Sequence, residues 1–510
     1  MLARVQSFLL QGIDDAPCEI EVDINDRGMP KTTVVGLVDT AVKESMERVG
    51  SAVSNCGYSF PDARLLVNLA PADVRKEGNH YDLPIALGLL MANGTIKPPT
   101  RETEFDHRNF LFAGELALDG RLRPISGAIS LALHARKRGM RGVVLPRDNA
   151  REAAAVDGVE VYGAATLPAV VGMLNGGAPA LEPEPPVDFQ ALVESAAPPI
   201  DFADIRGQEG AKRALLIAVS GAHNILMIGP AGTGKTMLAK ALPGILPPLT
   251  RDEALEVTRI YSAVGLVGRN EGLRTLRPVR APHHTASSAA VIGGGSIPRP
   301  GEVTLAHHGV LFLDEMPEFP RFVLETLRQP LEDRVVTISR SHSTVKFPAD
   351  FIMVAALNPT PKGDMPDDVF AQREMERYLS RISGPLVDRI DIHVEVPALP
   401  FEQLRARPDG KASRSLREQV LSSRKTQFAR NGPGKLNSHL SGKELDIHAV
   451  LDDASTSLLA QAVKELGLSA RAYDKIRRVS RTIADLEGAE RIQSHHVAEA
   501  IQYRLLDRML

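Results

Sequence analysis

The sequence predicts a multidomain α/β protein with a phosphate-binding core and a helical end, and three observations carry that prediction. A glycine-rich run, Gly229-Pro230-Ala231-Gly232-Thr233-Gly234-Lys235-Thr236, lies between a short apolar strand and a helix. Strand-period and helix-period segments alternate on both sides of a proline-rich break. Beyond Pro400 the pattern becomes mostly helical.

The length of 510 residues suits three domains at about 100–200 residues each. Apolar residues make up 43% and charged residues 24%, an ordinary globular balance that supplies several cores. With only two cysteines, Cys18 and Cys56, neither a disulfide framework nor a paired-CxxC zinc site is possible. Met1 to Gln11 lacks the charged start and long apolar core of a secretory signal. The longest apolar stretch, around Leu83 to Met91, is too short to span a bilayer. A cytoplasmic protein is therefore expected. The net charge of −3 excludes a polycation, but basic residues concentrated on one face would still serve a nucleic-acid partner.

The elements follow in order. Cys18, Ile20, Val22 and Ile24 alternate with acids, as in a half-buried strand. Asp39 to Asn55 has helical spacing, with Gly57 placed to end it. Arg64 to Ala70 reads as a strand and Asp82 to Asn93 as a buried helix. Phe110 to Ile125 reads as two strands joined at Asp119-Gly120, and Ser126 as the cap of a helix running to Lys137. From 176 to 200 six prolines and weak periodicity predict a semi-extended linker. His223 to Gly229, Val310 to Leu313 and Phe351 to Ala356 read as buried strands, with helices at Lys235 to Leu242 and Ala470 to Leu486. Val335 to Ser339 and Ser343 to Phe347 read as a hairpin tipped by Arg340, Ser341 and His342. The expected domains are 1–175, 201–397 and 398–510.

The chemistry concentrates around the glycine run. Glycines let backbone N–H groups wrap phosphates, and the helix that follows adds positive potential. Lys235 is expected to reach the β- and γ-phosphates of ATP, and Thr236 to ligate Mg²⁺. Asp314 ends a buried apolar strand, where a carboxylate can hold the same metal, and Glu315 beside it can polarise a water. Asn358, at the end of another strand, could orient that water, although an Asn-Pro turn explains it equally. Arg389, and secondarily Arg381, are candidates for a cation supplied in trans; either could instead be a surface ion-pair partner. Arg471 opens a run with Lys475, Arg477, Arg478 and Arg481. That run is a solvated helix face, or else Arg471 senses the γ-phosphate while the others face a neighbour or a polyanion. The pairs His283-His284, His307-His308 and His495-His496 are poorly placed as metal ligands, with no acid or cysteine to complete a set.

With Arg280-Ala281-Pro282-His283-His284-Thr285, Gly293-Gly294-Gly295, Pro298-Arg299-Pro300-Gly301-Glu302 and Gly309-Val310-Leu311-Phe312-Leu313-Asp314-Glu315, the chain resembles the magnesium-chelatase-like AAA+ ATPases, within them the YifB/ComM branch. The resemblance covers nearly the whole chain. It implies a central AAA+ P-loop domain, a C-terminal helical domain and a homo-hexameric ring with nucleotide sites between subunits. It also implies an arginine finger at Arg389, and a sensor arginine at Arg471 acting on a neighbour's site. Arg280 to Glu302 would be an insert in helix 2, and Arg334 to Phe347 a hairpin before the sensor asparagine. Members often use such insertions to grip DNA, which points to Arg299, Arg340 and His342.

The N-terminal region is similar to the branch's Lon-protease-like domain, of the ribosomal-S5-domain-2-like fold, through Asn68-Leu69-Ala70-Pro71-Ala72-Asp73 and Lys76-Glu77-Gly78. Ile85 and Ile129 stand where such a protease carries its serine and lysine, so no proteolysis is expected. Many relatives carry a cysteine cluster after the sensor asparagine. Here Pro359 to Glu376 has none, and no zinc is expected. The favoured function is an ATP-driven ring motor on DNA, a branch-migration helicase or translocase of recombination or natural transformation. The alternatives are a metal-insertion ATPase of the chelatase type or another remodelling ATPase.

Overall fold

A computed structural model describes residues 2–25, 29–100, 105–177, 181–198, 200–269, 271–295, 298–340, 343–359, 378–401 and 411–504. His342 and nearly all of the cysteine-free loop after Asn358 lie outside them. The chain forms two compact units, Met1–Glu194 with Thr250–Thr275, and Ser195–Leu249 with Leu276–Leu510.

In the first unit, Leu2–Gln11 and Asp14–Asn25 pair antiparallel. Arg64–Ala70 joins Asp14–Asn25 antiparallel, and Lys31–Val35 adds to it in parallel as an edge. Cys18, Ile20, Val22 and Ile24 all face the core, as the alternation requires. They pack with Val42, Met46 and Val49 of helix Thr40–Asn55 and with helix Asp82–Ala92. Asp39 caps the first helix by accepting the Val42 N–H at 2.8 Å. The second helix is buried on every side, so it has no polar stripe; its one acid, Asp82, is held by Arg48 at 2.9 and 3.0 Å. Ile85 and Ile129 are wholly buried.

Three expectations fail here. Phe110 to Ile125 is not a simple hairpin. Phe110–Phe112 joins a parallel sheet with Gly142–Pro146 and Glu160–Ala164, and only Glu115–Leu116 and Leu122–Arg123 pair around Asp119-Gly120. Ser126 does not cap helix Ala128–Lys137; Gly127 occupies the cap at φ +81°, and its N–H bonds to Ser262 Oγ at 3.0 Å. Ser262 belongs to helix Arg251–Ala263, a segment from the middle of the expected ATPase domain that is built into the first unit. The supposed linker is also not uniformly extended, since Phe189–Ser195 is helical.

The second unit is organised on a five-stranded parallel sheet in the order Val279–Arg280, Val310–Leu313, Ile352–Leu357, Ile225–Ile228 and Ile392–Glu395. Its apolar strands, buried on both faces, share one core with the later helices: Met227, Val354 and Ile392 pack with Val420, Ile476 and Ile483. Val335–Arg340 and Ser343–Pro348 form the expected hairpin, with the backbone of Arg340 in its last rung. The segment from Arg280 to Glu302 is closed at its base by a two-pronged ion pair between those residues, at 2.5 and 2.8 Å. Inside it Gly293–Gly294 pairs with Arg299–Pro300, of which Arg299 is exposed. A side chain on Gly301 would meet the Gly293 nitrogen at 2.3 Å, so that turn requires glycine. No helix among the described residues is long and apolar enough to cross a membrane.

Candidate functional site

Strand Ile225–Ile228 delivers the chain to the glycine run, and helix Lys235–Ile245 leaves it. Gly229 is required by close approach, because a Cβ there would meet the Val396 carbonyl oxygen at 2.1 Å. Gly232 and Gly234 hold φ of +78° and +91°, a left-handed backbone that glycine adopts without strain. Pro230, Ala231 and Thr233 complete the loop, and Thr233 Oγ1 donates to the Pro230 carbonyl at 3.0 Å.

The parallel sheet then assembles the polar groups. Its order sets the Asn358 strand between the P-loop strand and the strand ending at Asp314. Lys235 Nζ donates to the carbonyls of Gly229 and Pro230, each at 2.7 Å, and to Asn358 Oδ1 at 3.1 Å. Burial pushes this ammonium below the usual lysine range, against the pull of Asp314 and Glu315. Thr236 Oγ1 donates to Asp314 Oδ2 at 2.7 Å. One hydroxyl and one carboxylate at that spacing, beside a glycine-rich loop at a helix N-terminus, are oxygen donors of the kind a hard cation with phosphates takes. The residues therefore fit ATP with Mg²⁺.

Glu315 sits at φ +51°, left-handed for a residue with a side chain. Its Oε2 is 3.3 Å from Nδ1 of His284. No local spacing announces this partner, because His284 and Glu315 lie on separate segments. Gln208 was also missed. It is buried at φ +58° and donates to the carbonyls of Thr233 at 3.3 Å and Pro397 at 2.7 Å, bracing the loop. Nothing in its spacing announces that role.

The two arginines have acidic partners of their own. Arg389 pairs with Glu332 at 2.5 Å and donates to the Pro385 carbonyl at 2.7 Å. Arg471, largely exposed, is 3.7 Å from Asp388. The Glu332 carboxyl is held below its usual range by a hydrogen bond from Arg389 and by the charge of Arg471, so both arginines act on one patch. Arg381 pairs with Glu318 at 3.2 Å. The rest of the basic run corrects expectation, being neither a solvated face nor turned to a polyanion. Lys475, Arg477 and Arg481 are buried, paired with Asp391, Asp446 and Asp485, and Arg478 donates to the Leu440 carbonyl.

One histidine pair also departs from expectation, because Glu487 Oε2 lies 3.1 Å from Nε2 of both His495 and His496. His496 Nδ1 accepts the Gln493 N–H at 2.9 Å, which places its proton on Nε2, toward the acid. That tautomer makes His496 a helix cap with an acidic partner, not a metal ligand.

Comparison with known proteins gives three family matches. The magnesium chelatase subunit ChlI family matches residues 201–404, its C-terminal family matches 410–504, and a further ChlI family of the same chelatase matches 20–149. The chain is 44% identical to a competence protein, ComM, of Haemophilus influenzae, over 100% of this chain and 98% of that one. It is 42% identical to an uncharacterized protein, YifB, of Escherichia coli, and 41% identical to YifB of Salmonella typhimurium, with the same coverage.

Proposed function

We propose that this chain, which belongs to the ComM/YifB branch of the magnesium-chelatase-like AAA+ ATPases, hydrolyses ATP at sites completed by a neighbouring copy and couples hydrolysis to movement on DNA. One observation carries the reading: the unit's nucleotide chemistry is divided. Lys235, Thr236, Asp314, Glu315 and Asn358 converge around the glycine loop. Arg389 and Arg471 share a different patch around Glu332 and Asp388. A cation held on its own acidic patch suits a role in the next subunit's site, as phosphoryl transfer often requires.

Bound ATP with Mg²⁺ supplies the phosphoryl group to be transferred and a metal that neutralises its charge. The N–H groups from Gly229 to Thr236 bind its phosphates. Lys235 would exchange its carbonyl ties for phosphate oxygens, and Thr236 and Asp314 would hold the metal. Glu315 accepts the proton of the attacking water once it leaves His284, and Asn358 orients that water. Arg389 and Arg471 of the adjacent copy stabilise the charge that develops. Two or more copies must assemble for this, and a homo-hexameric ring is the arrangement the branch suggests.

The DNA assignment is supported by the similarity to a competence protein and by two basic-residue-bearing elements, the Arg280–Glu302 segment and the hairpin. Arg299, Arg340 and His342 would contact phosphates. Similarity over the full length, the N-terminal unit included, favours this reading over a chelatase motor subunit. The N-terminal unit is proposed to be Lon-like in fold and non-proteolytic, since Ile85 and Ile129 are core residues.

The test is ATP hydrolysis with single-stranded, duplex and four-way branched DNA. Stimulation together with migration of the branch is expected. Hydrolysis indifferent to all three, with no strand exchange, overturns the DNA assignment and leaves the ATPase.

A further inference from the structure

Helix Ala470–Leu486 and the segment entering strand Ile392–Glu395 are joined by a charge pair outside the nucleotide-binding cluster. Lys475 Nζ lies 3.0 Å from Asp391 Oδ1, and the two side chains are only 9% and 11% exposed. Asp391 also accepts the Asn224 N–H at 3.2 Å and lies 3.5 Å from His223 Nδ1. Burial alone would raise the Asp391 carboxyl, but the Lys475 ammonium and His223 outweigh it and hold the group well below the usual carboxylate range. The backbone is pinned there as well, since Arg504 Nη1 donates to the Ile390 carbonyl at 2.8 Å.

The register of this pair is informative. Asp391 lies two residues after Arg389, and Lys475 lies four residues after Arg471. On a helix that spacing stacks Arg471 and Lys475 on one face. The Arg471–Asp388 contact at 3.7 Å therefore runs beside the Lys475–Asp391 contact at 3.0 Å. A buried ion pair adds little net stability over a well-packed apolar pair, because desolvating both charges is costly. What it does well is fix one relative placement of the two elements that carry it.

We propose that Lys475 is a positioning residue: its bond to Asp391 sets the register of helix Ala470–Leu486 on the Arg389 loop, so that Arg389 and Arg471 are presented to the neighbouring subunit as one rigid pair. The proposal rests on the reading of those two arginines as acting in trans.

The test uses the full chain carrying Lys475→Met. Its kcat should fall about tenfold or more, with KM and ATP affinity within about twofold of the parent, because only the presentation of the arginines is lost. Mixing this variant with a Lys235→Ala protein, whose arginines are intact, should restore hydrolysis. Hydrogen–deuterium exchange should accelerate together in residues 388–393 and 470–476, and not in the glycine loop.

Arg389→Ala mixed with Lys235→Ala serves as the control. If that pair recovers activity and the Lys475→Met mixture does not, the positioning role is wrong and the shared site stands. If neither recovers, the shared site is wrong and the positioning role falls with it. A Lys475→Met protein with parental kcat, or with unaltered exchange in both segments, also overturns the proposal. Should the single variant fail to fold, the neutral pair Lys475→Met/Asp391→Asn is read in the same way, since it leaves no lone buried charge.

Discussion

Glu315 is held at φ +51° beside Asp314, and its carboxylate leans on His284 at 3.3 Å. A partly exposed pair of this kind is worth about 0.2–1 kcal/mol, so His284→Ala should raise hydrolysis without DNA by no more than about fivefold. Steady-state ATPase assays of the variant would show this; a large loss instead would make His284 part of the chemistry. A second residue-scale effect belongs to His80, whose imidazole burial pushes down to about 4. It stays neutral in the folded protein, while the unfolded chain takes up a proton below about pH 6.5. Its contribution is therefore intact above pH 6.5 and is lost as the pH falls toward 4, by about 3 kcal/mol over that window. Thermal melts across the window should drop, and His80→Phe should flatten the decline. Lys235, Asp314 and Glu315 were legible because strand, turn and helix signals surround them. His284 and Gln208 were not, because their partners are distant in sequence.

Among the elements, helix Arg251–Ala263 shows most plainly what pattern reading misses. Its capping box at Thr250 and Glu253 and its apolar spacing are local, and local signals do foretell a helix. Its destination is not local. Ser262 meets the Gly127 N–H, and buried Glu152 ties Ser262 to the Ile129 N–H at 3.0 Å. Glu152→Ala should strip both of their partner and cost about 1–3 kcal/mol, measured by denaturant unfolding of the full chain. An unchanged midpoint would mean that water replaces the carboxylate. Helix Ala470–Leu486 repeats the lesson in charge. Its bounds follow from Ser469, which accepts the Ala472 N–H at 3.1 Å, and from its apolar rows. Its basic side chains are internal because Asp391, Asp446 and Asp485 arrive from other segments.

At the scale of the whole molecule, a site shared between copies makes activity depend on concentration. Hydrolysis per chain should rise steeply with protein concentration and level off as assembly completes, in step with mass measured by light scattering. A constant rate per chain down to the monomer would sink the shared-site proposal. DNA should lower the concentration needed, because a strand binding several copies gathers them.

By itself the sequence determined where a glycine-rich loop joins a strand to a helix, which acids end buried strands, and which family the chain belongs to. Each of those is written in short spacings that backbone geometry reads directly. Only the tertiary structure decided what the charges face. It set Asn358 on Lys235, His284 on Glu315 and Lys475 on Asp391. It also grouped Arg389 and Arg471 around one acidic patch of Glu332 and Asp388. The reason is physical: burial and pairing are properties of neighbours, and a parallel sheet brings its neighbours from segments far apart in the chain.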